Sequence, residues 1–157
     1  MSANPKDNLA LQKLQEFLPG AIEDAHCFRG ETTLFIRLSL LRRTWEFFRD
    51  EPHLEFRFLV DVTALDLYPR EPRFEVVYHL LSLANGQRLR LKVRLPSENP
   101  VLPSAVPVWP SANAFEREVF DLFGITFEGH PFLERILMPD NWEGHPLRKD
   151  YPTEGYR

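Results

Sequence analysis

The chain has 157 residues, 43% of them hydrophobic, and its 19 Lys and Arg against 23 Asp and Glu give a formal net charge of −4. This composition fits one globular domain and excludes a disordered chain, while the acidic balance argues against a general nucleic-acid binder. Cys27 is the only cysteine, which excludes an intrachain disulfide and any cluster held by several cysteines.

The N-terminal half predicts two helices and three strands. Apolar residues at helical spacing predict a helix within 4–20, and alternating residues on either side of Arg29-Gly30 predict two strands joined by a turn. Ser39 is expected to cap a second helix, which Pro52 ends. Residues 54–68 predict a third strand, which is apolar enough to lie in the centre of a sheet.

A hairpin is the clearest local prediction. Asn85-Gly86 is the pair that a two-residue type I′ turn requires, because both positions need positive φ, and such a turn places Ser82 opposite Leu89. One face of the hairpin is then apolar and is predicted to face the core; it comprises Val76, Tyr78, Leu80, Leu89, Leu91, Val93 and Leu95. The other face carries a basic row, which fits either a solvated sheet surface or a docking surface for an acidic partner; the row is Arg88, Arg90, Lys92 and Arg94.

A third helix is predicted from residue 114 onwards, after a proline-rich stretch, 97–113, that predicts irregular chain. Gly124 is placed to end this helix as a left-handed cap. At about 100° per residue, one stripe of the helix faces the core and Phe120 lies off that stripe, which indicates a second contact surface. Arg117 and Asp121, four residues apart, are expected to form a solvent-side ion pair.

Two catalytic interpretations compete with a binding role. Three carboxylates lie on the third helix, but they point in different directions and so do not form the facing pair that acid–base hydrolysis uses; they are Glu116, Glu118 and Asp121. His130 and His145 each stand in a Gly-His-Pro triplet with Asp140 and Glu143 nearby, a set that could hold zinc or iron. Their spacing matches no standard ligand pattern, so metal binding is the less favoured interpretation.

The last thirty residues show no helical or strand period, yet they contain too many large apolar side chains to remain in water. They must pack against this chain or against another. We therefore predict a single α+β domain over 1–124 and an extended, partner-binding C-terminal arm over 125–157. The domain is expected to have two layers, with helices on one face of a mixed, mostly antiparallel sheet of about five strands.

The segment FEREVFDLFGITFEGHPFLERILMPDNWEGHPLRKDYP, residues 115–152, resembles the signature region of a known family. That family is the 30 kDa-type subunit (the C subunit) of proton-pumping NADH:quinone oxidoreductase, respiratory complex I. Residues 56–83 and 88–113 resemble the same family in the same order. The resemblance implies a scaffold that binds no flavin, iron–sulfur cluster or quinone of its own, so the redox chemistry and proton translocation belong to other subunits.

The resemblance also implies the partners and the place of the chain. The partners are the large hydrogenase-like subunit of the quinone site, the subunit with the terminal iron–sulfur cluster and other peripheral-arm subunits. The expected location is the cytoplasmic side of a bacterial inner membrane, and the membrane is reached only through the complex, because no apolar run approaches the ~20 residues that cross a bilayer. The residues expected at the partner interface or in anchoring the third helix are Glu116, Arg117, Glu118, Phe120, Asp121, His130, Arg135, Trp142, His145, Arg148, Lys149, Asp150 and Tyr151.

Three alternatives stay open at this point. The nearest is the equivalent subunit of a related membrane-bound hydrogenase or ferredoxin-using complex. A small hydrolase that uses Glu116 or a histidine-held metal would contain about one equivalent of zinc or iron. A nucleic-acid-binding module that uses the basic row would bind oligonucleotides with a steep salt dependence.

Overall fold

A computed structural model describes residues 8–156. These residues form three α-helices, seven strands and a short 3-10 turn. In chain order the elements are α1 Leu9–Phe17, β1 Ile22–Phe28, β2 Glu31–Ile36, the 3-10 turn Leu38–Leu40, α2 Leu41–Asp50, β3 Phe58–Asp66, β4 Phe74–Leu81, β5 Arg88–Leu95, β6 Val101–Pro103, α3 Ala112–Phe123 and β7 Thr126–Glu128.

Five strands form one sheet in the order β1-β2-β5-β4-β3. β1 and β2 are antiparallel, β2 and β5 are parallel, and the short connections 67–73 and 82–87 allow only antiparallel pairing of β3 with β4 and of β4 with β5. The predicted α+β fold with a mixed, mostly antiparallel five-stranded sheet is therefore confirmed. The predicted central place of the third strand is wrong: β3 lies at an edge of the sheet, and its Phe58, Val60 and Leu65 are exposed.

The described residues divide into two compact units, 8–61 with 77–93 and 62–76 with 94–156. In the first unit the indole of Trp45 in α2 packs against the ring of Tyr78 in β4, with centroids 5.0 Å apart. Phe17 of α1 stacks on Phe47 of α2 at 4.7 Å. Ser39 does not cap α2, because it lies in the 3-10 turn that precedes the helix and no side chain caps the helix start.

The hairpin of β4 and β5 has a longer loop than predicted. The Ser82 N–H donates to the Gln87 carbonyl (2.9 Å), so Ser82 faces Gln87 and not Leu89. The Asn85 side chain accepts from the Gln87 N–H, and only Gly86 of the predicted turn pair has positive φ, 71°. The type I′ turn is therefore wrong, but a register shift of two residues preserves the alternation of faces. Every predicted core side chain of the hairpin is buried.

The basic row on β5 is partly neutralised within the chain. Arg90 donates to the Glu31 carboxylate (2.7 Å) and to the Thr33 hydroxyl (3.2 Å) of β2. The Lys92 ammonium lies over the Phe35 ring, 5.5 Å from its centroid. These contacts are those of a solvated sheet face in which long side chains cover apolar neighbours.

In the second unit β6 and β7 form a two-stranded parallel sheet, with Leu102 opposite Phe127. The stretch 97–113 thus contains a short strand where irregular chain was predicted; Pro103 is its last residue, a position where a missing N–H is tolerated. Gly124 caps α3 with φ 70°, as predicted. The boundary between domain and arm stays a prediction, and β7 falls inside the predicted arm.

Candidate functional site

Residues 129–156, called the C-terminal segment below, contain neither helix nor strand. Main-chain groups in such a segment need partners when they are shielded from water. In this chain those partners are charged side chains and the last carbonyl groups of α3. Together they give an irregular segment a defined path.

Asp121 of α3 is the first of these anchors, and its side chain has no accessible surface. Its Oδ2 accepts hydrogen bonds from the N–H groups of Ile136 (3.1 Å), Leu137 (2.8 Å) and Met138 (2.8 Å). Its Oδ1 accepts from Nη1 of Arg135 at 2.6 Å. Burial acts to raise the pKa of Asp121, but the bonds from Met138, Leu137 and Arg135 outweigh it and the pKa lies below its usual value. An ionised carboxylate therefore fixes the main chain of the segment.

Arg135 and Arg117 hold the segment from two sides. Nη2 of Arg135 donates to the carbonyls of Trp142 (3.0 Å) and Gly144 (3.1 Å). Arg117 donates to the carbonyls of Glu134 (3.1 Å) and Arg135 (3.0 Å). The predicted solvent-side pair of Arg117 with Asp121 is therefore wrong. Both side chains bind the C-terminal segment instead. The prediction considered the helix alone and so could not include the main-chain donors and acceptors of that segment.

The carboxyl end of α3 is capped by the same segment. A helix leaves its last four carbonyls without helical partners. His145 Nδ1 donates to the Asp121 carbonyl (2.9 Å), the Leu147 N–H to that of Leu122 (3.0 Å), and Arg148 Nε to that of Phe123 (2.6 Å). Burial lowers the pKa of His145, which favours the neutral ring.

The residue after α3 must be glycine for this cap to form. A Cβ on Gly124 would lie 2.5 Å from the His145 ring and 2.8 Å from Nη2 of Arg148. Its left-handed φ adds a steric cost for any other residue.

A second anchor, which the sequence did not reveal, lies at the end of β3. Arg73 is buried and donates to both oxygens of Asp66 (2.9 and 2.8 Å) and of Asp150 (3.0 and 2.6 Å). The Lys149 N–H also donates to Asp66 (2.8 Å). Burial opposes ionisation of Asp66, but the bonds from Arg73, Lys149 and Tyr68 lower its pKa to about 2. The signal available in the sequence was Asp66, a charged residue at the end of an apolar strand.

Glu116 holds a loop to α3 from inside the unit. Its carboxylate has no accessible surface and accepts from the Ser104 hydroxyl (2.6 Å) and the Ala105 N–H (2.6 Å). His130 lies beside it, with Nε2 4.0 Å from Oε2, and that nitrogen donates to the Asn113 carbonyl at 3.1 Å. Burial raises the pKa of Glu116 to about 7, because the two hydrogen bonds only partly offset the loss of water.

We expect Glu116→Gln to remove a pH dependence from stability. The folded wild type keeps the proton up to about pH 7, whereas the unfolded chain releases it near 4.5. Glu116 therefore lowers stability progressively as pH rises across this window. The free energy of unfolding of the Gln variant, measured with urea from pH 4.5 to 7.5, should rise by about 3 kcal/mol relative to wild type. Parallel curves for the two proteins would contradict the buried, proton-binding carboxyl.

The apolar side chains of the C-terminal segment point the other way. Six large ones are exposed, between 38% and 59% of their accessible surface, although the adjoining main chain is fixed. We call them the outer apolar group; they are Phe132, Ile136, Leu137, Trp142, Leu147 and Tyr156. Charged groups that bind inward while large apolar groups face outward are typical of a surface that another molecule covers.

Residues 35–157 match the family described as respiratory-chain NADH dehydrogenase, 30 Kd subunit. The chain belongs to this family. It is 51% identical over 142 residues to the C subunit of NADH-quinone oxidoreductase from Roseiflexus sp. (strain RS-1), covering 90% of this chain and 82% of the relative. The same subunit of Citrifermentans bemidjiense is 45% identical over 150 residues, with 96% and 92% covered.

Two solved structures share the fold of this family member. One is the trypsin-resistant fragment of Nqo5, with a TM-score of 0.66 and 36% identity over 80% of this chain and 100% of that one. The other belongs to an archaeal respiratory membrane complex, the membrane-bound sulfane sulfur reductase, with a TM-score of 0.78 and 26% identity over 94% and 86%. Within residues 8–156 of this family member no helix is long and apolar enough to span a membrane.

The structure separates the predicted site residues into three groups. The Glu116 and Asp121 side chains are fully buried and bond to the chain's own segments, which is the anchoring role expected as the alternative to partner contact. The His130 ring is also fully buried and bonds to the Asn113 carbonyl. A second group bonds inward but retains some accessible surface; it comprises Arg117, Arg135, His145, Arg148 and Asp150. The third group has accessible surface and is available to a partner: Glu118, Phe120, Trp142, Lys149 and Tyr151. For the second and third groups, partner contact stays a prediction.

The same geometry bears on the catalytic interpretations. Glu116 and Asp121 bind different main-chain segments, and Glu118 is exposed, so the three carboxylates do not meet at one cleft. Across the described residues no group of three or more His, Cys, Asp and Glu side chains is arranged to hold a metal ion. Both ring nitrogens of His130 are used, since Nε2 bonds Asn113 and Nδ1 accepts from the Phe132 N–H (3.0 Å).

Proposed function

We propose that this chain is a cofactor-free structural subunit of the peripheral arm of an NADH:quinone oxidoreductase and docks on the large quinone-site subunit. Its family and its similarity to the relatives named above make it a subunit of an NADH-quinone oxidoreductase complex. The outer apolar group carries the rest of the proposal. Burying apolar surface contributes a favourable free energy of about 25 cal/mol per Å². A main chain that is already fixed reduces the entropy lost on binding.

The side-chain chemistry supports a role without a cofactor. A single cysteine cannot supply the thiolates that hold an iron–sulfur cluster. The rings of His130 and His145 bond to main-chain carbonyls, and the Asp150 carboxylate accepts hydrogen bonds from Arg73. We propose accordingly that flavin, clusters and quinone are held by neighbouring subunits, and that the chain lies on the cytoplasmic side of a bacterial inner membrane beside the terminal-cluster subunit.

A related membrane complex is the alternative. The structure of the archaeal sulfane sulfur reductase complex contains a chain with 26% identity and a TM-score of 0.78, so this fold serves complexes of another kind. The equivalent subunit of a hydrogenase or ferredoxin-using complex would dock in the same way, within a complex that uses a different electron donor. The identity of 51% with an NADH-quinone oxidoreductase subunit favours NADH.

Purification from native membranes tests the proposal. An affinity-tagged chain is expected to bring down the large quinone-site subunit in a complex that reduces quinone with NADH. The same chain, expressed alone, is expected to contain no stoichiometric iron, zinc or flavin. Ferredoxin-driven activity without NADH activity would support the alternative. A metal or flavin bound to the isolated chain, or the absence of any co-purifying subunit, would contradict the proposal.

A further inference from the structure

A groove of about 190 Å³ crosses four strands of the five-stranded sheet within the first unit, on the face opposite the apolar face of the hairpin. We call it the sheet groove. Phe58 and Val60 form one end, because they belong to the edge strand β3. Glu31 of β2 and Arg88 of β5 lie toward the other end, and His79 of β4 lies between the two ends.

The β3 end of the sheet groove is apolar. The side chains of Phe58 and Val60 are 48% and 45% exposed, and Leu81 is half-buried on the same face. Covering exposed apolar surface contributes a favourable free energy, and a concave site lets one small group cover several side chains at once. This end of the groove therefore suits an apolar group.

The β5 end of the sheet groove carries a cation that has no acceptor. The Glu31 carboxylate is already engaged, because it accepts a hydrogen bond from Arg90 at 2.7 Å. Arg88 is exposed, and it makes no hydrogen bond or ion pair with any residue in the range 8–156. Its guanidinium group therefore has N–H donors that are available to a ligand.

The charges of the lining favour an anion. Arg90 and Glu31 neutralise each other, and burial lowers the pKa of His79, so that its ring is neutral at pH 7. Two charged side chains outside the lining act on the His79 ring with opposite signs; they are Asp61 and Lys92. Arg88 therefore sets the sign of the ligand that the lining attracts.

The distance between the two ends sets the size of the ligand. Neighbouring strands are about 4.8 Å apart, and β3 and β5 are separated by β4 alone, so the main chains at the two ends are about 10 Å apart. The volume of the groove is below the range of about 300–1,000 Å³ that is usual for drug-sized sites. A small ligand that joins one apolar group to one negative group through a short linker fits these dimensions.

We propose that the sheet groove binds a small amphiphilic carboxylic acid, with its apolar group against Phe58 and Val60 and its carboxylate on Arg88. A guanidinium group suits a carboxylate because two parallel N–H groups can donate to its two oxygens. The proposal concerns one face of the sheet, so it holds or fails independently of docking in a complex.

The first test uses the isolated, isotope-labelled full-length chain at pH 7 and hydrocinnamate as the probe. The amide NMR signals of the lining residues Val60, Leu81 and Leu89 are expected to shift saturably with hydrocinnamate. Hydrocinnamide has nearly the same shape and no charge, and it is expected to bind about two- to fivefold more weakly, the usual effect of one exposed ion pair. Equal affinities for the acid and the amide, or no saturable shift with the acid, would overturn the proposal.

A pair of arginine variants localises the carboxylate. Arg88→Gln is expected to weaken hydrocinnamate about two- to fivefold and to leave the affinity for hydrocinnamide unchanged. Arg43→Gln makes the same change at an exposed position of α2 that does not line the groove, and it should leave both affinities unchanged. The same affinity for hydrocinnamate in the two variants would contradict a contact between the carboxylate and Arg88.

A pair of phenylalanine variants localises the apolar group. Phe58→Ala is expected to weaken the acid and the amide alike, by about three- to tenfold, because both lose the same apolar contact. Phe28→Ala removes a ring that is 71% exposed on β1, the opposite edge strand, and should leave both affinities unchanged. Both rings are exposed, so the fold should tolerate both changes. An undiminished affinity of Phe58→Ala for the two probes would overturn the proposed placement of the ligand.

Discussion

Asp121→Ala is expected to lower the free energy of unfolding by about 3–5 kcal/mol, the range found when one partner of a buried charge pair is removed. The substitution leaves the N–H groups of Ile136, Leu137 and Met138 without their acceptor and Arg135 without its carboxylate. Urea unfolding at pH 7 measures the loss. Limited proteolysis should also cleave the C-terminal segment sooner, because its main chain loses its principal anchor.

Glu118→Ala provides the matched control. It removes a carboxylate from the same helix, but this side chain is exposed, and surface substitutions away from such networks change stability within about 0.5 kcal/mol. Similar small losses for both variants would contradict the anchoring role of Asp121. A loss of stability in Asp121→Ala alone would show that stability depends on the buried anchor and not on the charge of the helix.

Periodicity predicted the faces of the regular elements well, because burial follows a period of two in a strand and of 3.6 in a helix. The hairpin shows the limit of this information. Its core face was correct while its register was wrong, since alternation is unchanged by a shift of two residues. In the longer loop the Asn85 side chain accepts a hydrogen bond from the Gln87 N–H, a contact that the residue pair alone did not reveal.

The hydrogen-bond networks of the C-terminal segment were less predictable, because they depend on contacts that periodicity does not describe. Helical angles placed Asp121 toward solvent because a charged residue opposite an apolar stripe is normally hydrated. Its partners lie 14 to 17 residues further along in a segment without any period. The Arg73–Asp150 pair spans 77 residues. Gly124 was predictable because its requirement is local, whereas these networks depend on where an irregular chain returns.

Leu137→Asp is expected to have the largest effect on assembly. The Leu137 side chain is 59% exposed, while its N–H is held by Asp121, so the substitution leaves the anchor in place. Stability should therefore change by no more than about 0.5 kcal/mol. A carboxylate buried in an apolar interface should weaken docking by about 2 kcal/mol or more, which corresponds to roughly 30-fold in Kd. Leu83→Asp, at a side chain 74% exposed in the hairpin loop, is the matched control.

Competition during assembly measures whether the outer apolar group docks on a partner subunit. Wild-type chain and a differently tagged variant are expressed together, and the ratio of the two is measured in the purified complex. We expect Leu137→Asp to be depleted by roughly 30-fold while Leu83→Asp enters near parity, with both variants as stable as wild type. Equal entry of Leu137→Asp and wild type, with NADH-driven quinone reduction unchanged, would show that the outer apolar group is not a docking surface.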